Sequence, residues 1–273
     1  MSLPADQPSP CVLAGIVRTE HGGATKWISY DLPTDQDPFD ALVVCIAESI
    51  VSYRSRGMPQ VLRAWRRVRS GGSPYDDVER GEIRALTATI FGRFDKPYGD
   101  DLLVAAVGEH LWYELSQADP ELPIVRLESP KFHVTAPGAD GLVVHRDVTL
   151  YFRLWEIKAT LRRPSPTLRE AYGQLTERAT QYLAQYSTAG PQIADAELQD
   201  LYGNLSAAWQ RGDTNARAGV AISTIKAPRR SFLRMRRVLQ HLRSTDACRG
   251  QVSASSRLPE FAIAVRAAVW IGL

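Results

Sequence analysis

Asp140, Glu156 and Lys158 are the residues of this 273-residue chain whose types and spacing could do chemistry together. Residues 150–160, LYFRLWEIKAT, read as a strand. Alternation then puts Leu150, Phe152, Leu154, Glu156 and Lys158 on one face, and Tyr151, Arg153, Trp155 and Ile157 on the other. Bulky residues on both faces imply an interior strand covered on each side. A carboxylate and an ammonium at the end of an apolar stripe are costly unless they are paired or bind something. Two carboxylates with a lysine two residues after the second suit a hard divalent cation, Mg²⁺ or Mn²⁺. Asp140, Glu156, a backbone carbonyl and water would supply its oxygen ligands. Such an ion lowers the pKa of a water and screens a phosphodiester. Lys158 would position or activate that water, or neutralise developing charge.

Register decides whether the two acids meet. A loop centred on Val148 pairs Val144 with Phe152, Leu142 with Leu154 and Asp140 with Glu156. A tight turn at Arg146-Asp147 would instead set Asp140 opposite Arg153, with Glu156 ~10 Å further along. The first register matches apolar with apolar and is the expected one, since a one-residue slip would exchange the faces.

Asp140 in its Gly138-Ala139-Asp140-Gly141 context, followed by Glu156-Ile157-Lys158, resembles the signature of the PD-(D/E)XK nuclease superfamily. The resemblance implies an α/β (α+β), restriction-endonuclease-like fold, a mixed sheet flanked by helices. It also implies Mg²⁺-dependent hydrolysis of DNA, with Asp140, Glu156 and Lys158 as the catalytic set.

At 44% hydrophobic and 23% charged residues the chain is globular rather than disordered. A net charge of +3 does not announce nucleic-acid binding, so local patches must carry that reading. Cys11, Cys45 and Cys248 are odd in number and far apart, which suggests a reducing compartment without a disulfide framework. No apolar run approaches ~18 residues and no signal-peptide pattern opens the chain, so a cytoplasmic protein off the membrane is expected. The five histidines do not stand at zinc-ligand spacing. With no phosphate-binding glycine loop, any ATP use belongs to another chain.

In chain order, residues 11–18 and 26–31 suggest a hairpin around His21-Gly22-Gly23. Helices follow from Pro38 to before Gly57, from Pro59 to Ser70 and from Tyr75 to Phe91. The arginines of the second, with Leu62, Trp65 and Val68, fit a plain amphipathic helix. These elements form an N-terminal accessory region, 1–95, ahead of a nuclease-like domain, 96–273. The second unit opens after Lys96-Pro97-Tyr98-Gly99 with an apolar helix whose first-turn acids suit its positive end. Further strands are expected at 123–127 and 218–226, helices after Pro166 and Pro191, and a last strand at 260–273.

A third acid for the site is Glu109, by burial, or Asp100 or Asp101, by position at the helix start. On the helix after Pro166, Gln174, Gln181 and Tyr182 are the polar residues the superfamily resemblance would turn toward the site. Residues 226–243 hold seven basic residues and no acid. As a helix they would bury Phe232, Met235, Leu239 and Leu242 and present Arg229, Arg230, Arg234 and Arg237, among others, to DNA phosphates. The same face also suits a protein partner.

Over about residues 95–190 the order of these features is similar to the HamA family, nuclease subunits of the Hachiman anti-phage defence system. That likeness implies a helicase partner that restrains the nuclease. It departs at Gly99-Asp100, where the family leads one to expect Gly-Glu. Two rivals remain: a non-catalytic subunit that binds DNA or protein through its basic segment, and a nuclease acting on RNA.

Overall fold

The computed structural model describes residues 15–23, 25–119, 123–128, 140–188, 193–227, 232, 234–244 and 246–273. Strands β1 (Val17–His21) and β2 (Lys26–Asp31) form a hairpin as expected, but the first strand runs on through His21, which was expected in the turn, and residues 11–14 of the expected strand lie outside the described residues. Helices α1 (Gln36–Arg54), α2 (Pro59–Arg69) and α3 (Asp77–Phe91) follow. Proline opens α2, and an Asp76–Glu79 capping box opens α3. The two-residue strands β3 (Gly92–Arg93) and β4 (Lys96–Pro97) lead into α4 (Asp100–Gln117). Next come β5 (Ile124–Leu127), β6 (Gly141–Arg146), β7 (Leu150–Thr160), α5 (Pro164–Thr188) and α6 (Ala196–Arg211). The chain ends with β8 (Ala216–Thr224), the one-turn α7 (Met235–Val238), β9 (Cys248–Ala254) and α8 (Leu258–Val269).

Among the described residues seven strands form one mixed sheet in the order β1-β2-β9-β8-β7-β6-β5, so the protein is mixed α/β. The centre, β2-β9-β8-β7, is parallel and both margins are antiparallel. β7 lies inside the sheet, and its first eight residues are buried, as apolar side chains on both faces require. Leu142, Phe152 and Leu154 pack on one face with α5, α6 and α7. Trp155 and Ile157 pack on the other with Trp112 of α4, and α1 and α8 complete that layer. The N-terminal hairpin continues this sheet through β2 and β9 rather than forming a sheet of its own.

Several expectations are corrected. Residues 258–269 are helical: Phe261, Ala262, Val265 and Val269 are buried at helical spacing behind a proline-led first turn. The described part of the basic segment holds one helical turn, Met235–Val238, with turns beside it, although Phe232, Met235, Leu239 and Leu242 are all buried as the seam required. Cys45 is disulfide-bonded, whereas Cys248 is a buried free thiol. Among the described residues no helix is long and apolar enough to cross a membrane.

His110, on α4, is 1% exposed, and burial beside Arg54 holds its imidazole pKa well below the ordinary value. Such a histidine takes up its proton only on unfolding. Its contribution is therefore present above pH ~6.5 and is lost at about 1.4 kcal/mol per pH unit below that. Thermal melts should show a smaller drop between pH 7 and pH 5.5 for His110→Leu than for the parent chain; equal drops would exclude His110 as the acid-sensitive group.

Candidate metal-binding site at the end of β6 and β7

The hairpin adopts the register centred on Val148: Val144 pairs with Phe152, Leu142 with Leu154 and Gly141 with Trp155. Asp140, half-buried, therefore stands at the next pair, opposite Glu156. Asp140 Oδ2 accepts a hydrogen bond from the Ile157 amide at 2.8 Å, which ties its carboxylate to the neighbouring strand.

Glu156 is 2% exposed. One of its oxygens, Oε1, takes the Lys158 ammonium at 2.9 Å. The other, Oε2, is buried without a donor. The carboxylate facing it, Asp140, is itself an acceptor, so the two can bond only through a shared proton. Burial first, and the Asp140 charge second, push the Glu156 carboxyl far above the usual carboxylate range, against the pull of Lys158. Burial opposes the charged form of Lys158 too, but Glu156, Asp140 and Glu170 outweigh it and raise its pKa. Lys158 thus stays an ammonium, with Glu170 of α5 at 3.6 Å as a second anchor.

Two facing carboxylates, one with an unsatisfied buried oxygen, fit a hard divalent cation: the ion supplies the charge that both lack. Among the described residues no three His, Cys, Asp or Glu side chains form a metal-holding group, so an ion held by Asp140 and Glu156 would need backbone oxygen and water for its remaining ligands. A buried oxygen that only a proton shared with Asp140 can satisfy also destabilises the metal-free fold, whereas an amide in its place would donate to Asp140 without one. Glu156→Gln should therefore raise the melting temperature in chelator by the equivalent of about 1 kcal/mol; a lower melting temperature would mean that the Lys158 pair outweighs the repulsion.

The other nominated residues separate. Glu109 is 8% exposed on α4, one turn before Trp112, whose ring lies against Gly141. Its charge is felt by Arg54 and by the Tyr186 phenol of α5. Burial, and then the charges of Glu128, Asp140 and Glu109, raise that phenol's pKa. Asp100 and Asp101 are exposed in the first turn of α4; at ~1.5 Å per residue, Asp100 is about 14 Å from Glu109 along the helix. Gln174 donates to Glu170 at 3.3 Å and so sits one contact from Lys158. Gln181 is exposed and Tyr182 buried. Arg234 and Arg237 are exposed, whereas Arg229 and Arg230 lie outside the described residues.

Sequence reasoning missed Arg178, Tyr186 and Glu128. Arg178, which hydrogen-bonds Tyr182, is four residues beyond Gln174 on the α5 row that reaches Lys158, and it senses Glu156. Helical spacing from Glu170 could have found it. Glu128 follows β5 and accepts from the Tyr202 hydroxyl at 2.6 Å and from Arg126 at 2.7 Å. No local sequence signal marks it. No family model matches this chain, and no curated protein does.

Proposed function

We propose that the protein is a metal-dependent DNA nuclease of PD-(D/E)XK type, built on a restriction-endonuclease-like version of the mixed sheet. The observation that carries this reading is the donorless Oε2 of buried Glu156 facing Asp140, with the Lys158 ammonium 2.9 Å from the other oxygen. Asp140 and Glu156 would hold Mg²⁺ or Mn²⁺, which when bound supplies Lewis-acid screening of a scissile phosphodiester. Lys158, kept charged by three carboxylates, would stabilise the negative charge that grows on the phosphate oxygens and orient the attacking water, rather than remove a proton from it. Of the acids nominated as a third, Glu109 is the buried one, one turn before Trp112, whereas Asp100 and Asp101 are exposed in the first turn of α4. The Gly-Glu pair sought at the start of α4 occurs two turns further on, as Gly108-Glu109.

The likeness to the nuclease subunits of the Hachiman system rests on these motifs and extends the proposal to anti-phage defence beside a helicase. The test is incubation of purified protein with linear and circular DNA, with Mg²⁺ or chelator, alone and with its genomic neighbour's product. Cleavage that requires Mg²⁺ supports the proposal. The exposure of Arg234 and Arg237 keeps a binding-only reading in play; salt-sensitive DNA binding indifferent to Mg²⁺ and without cleavage would favour it.

A further inference from the structure

Lys158 has two carboxylate partners of opposite character. Glu156 Oε1 lies 2.9 Å from the ammonium, and the Glu156 side chain is 3% exposed, so this contact is fixed inside the sheet. Glu170 Oε1 lies 3.6 Å away, and its side chain is 60% exposed. At that distance the second contact is an ion pair without a hydrogen bond. Both Lys158 and Glu170 reach solvent, whereas Glu156 does not.

Glu170 is nonetheless held in place. Gln174, one turn further along α5, donates its side-chain amide to the same Oε1 at 3.3 Å. Residues four apart share one side of a helix, and Leu168, Ala171, Tyr172 and Leu175 of α5 are buried. Packing of α5 thus sets the position of Glu170 and Gln174, and it keeps a negative charge against the solvent side of Lys158.

An ammonium has three N–H groups and accepts nothing. Glu156 takes one of them. A phosphate oxygen that Lys158 is to stabilise needs another, and it carries a charge of the same sign as Glu170. Of the two carboxylates only the loose, solvated one can yield, because releasing Glu156 strips a buried carboxylate of the ammonium that compensates it.

We propose that Glu170 is a positioning residue that withholds Lys158 from substrate: a phosphate oxygen must displace it before the ammonium can act. The inference rests on the nuclease reading of Asp140, Glu156 and Lys158, and adds to it a penalty on substrate binding set from α5. Glu170 weakens the hold on the substrate phosphate and leaves the chemical step alone, since it has left Lys158 before charge grows on the phosphate.

The test, on the full chain, is steady-state cleavage of linear DNA in Mg²⁺ together with equilibrium binding of a short labelled duplex in chelator. Glu170→Gln removes the charge and keeps the Gln174 contact, because an amide oxygen accepts as a carboxylate does. It should lower KM and tighten duplex binding about fivefold, the upper end for an exposed ion pair, with kcat within about twofold of the parent. Glu177→Gln makes the same charge change at an exposed position further along α5 and should alter neither. In the Lys158→Ala chain, Glu170→Gln should tighten binding by less than about twofold. Equal gains from Glu177→Gln and Glu170→Gln would make the effect one of net charge and overturn the proposal. So would an unchanged or higher KM, or a kcat that falls in Glu170→Gln, which would make Glu170 a group that aims Lys158. A parent chain that binds the duplex but cuts no DNA removes the nuclease reading, and the affinity ratio alone then decides the role of Glu170. A parent chain that does neither removes both.

Discussion

Glu156→Gln and Lys158→Ala are each expected to lower Mg²⁺-dependent DNA cleavage on the order of a thousand-fold or more while leaving the fold intact. The two losses have different causes. Glu156→Gln keeps the shape and removes the negative charge, so a cation is left with Asp140 alone. Lys158→Ala leaves both acids but deletes the positive charge that faces the phosphate oxygens. Neither change should unfold the chain, because Lys158 is 22% exposed at its side chain and Glu156 gains nothing from its buried second oxygen. Circular dichroism and thermal melts beside the cleavage assay separate lost chemistry from lost structure. Cleavage at parent rates by a folded double variant would remove these residues from any catalytic role.

Gly141→Val should be the most destabilising single change near the site. A Cβ there would come within 2.2 Å of the Trp112 ring. Trp112 is 1% exposed and tilts against Trp155 at 5.8 Å, so neither ring has room to move. Overpacking of this kind costs up to about 3 kcal/mol, a fall of about 6–10 °C in melting temperature for a chain of this size. It also disturbs the strand that places Asp140, so cleavage should fall with stability. An unchanged melting temperature would show that the contact is slack. Both effects trace to the same residue, because Gly141 lets Trp112 of α4 lie against the strand that begins beside Asp140.

The heart of the arrangement was legible in the chain. Period-2 alternation fixed which residues of 150–160 share a face, and matching apolar partners across β6 and β7 chose the register that brings Asp140 to Glu156. The even burial of α4 was equally readable, since its apolar residues run nearly all round. What escaped was polar or short. β9 carries Arg249, Gln251 and Ser253, all buried, and neither propensity nor alternation marks CRGQVSA as a central strand. Burial of those polar groups depends on partners far along the chain, such as Asp119 for Arg249, which no local pattern encodes. Over the described residues of 226–243 the apolar spacing was right and a continuous helix from 234 to 243 was not: four buried side chains anchor turns as well as they anchor a helix. The last segment was misassigned because short apolar runs suit strand or helix, and only the Pro259 position and the 3.6-residue burial pattern separate them.

Calorimetric titration of Mg²⁺, with Mn²⁺ in parallel, into the protein without nucleic acid addresses the paired acids most directly. Saturable binding in the parent chain that disappears in both Asp140→Asn and Glu156→Gln, with proton release because Glu156 gives up its proton to the ion, is the predicted result. Absence of binding, or binding that survives both substitutions, would contradict a metal site at the end of β6 and β7.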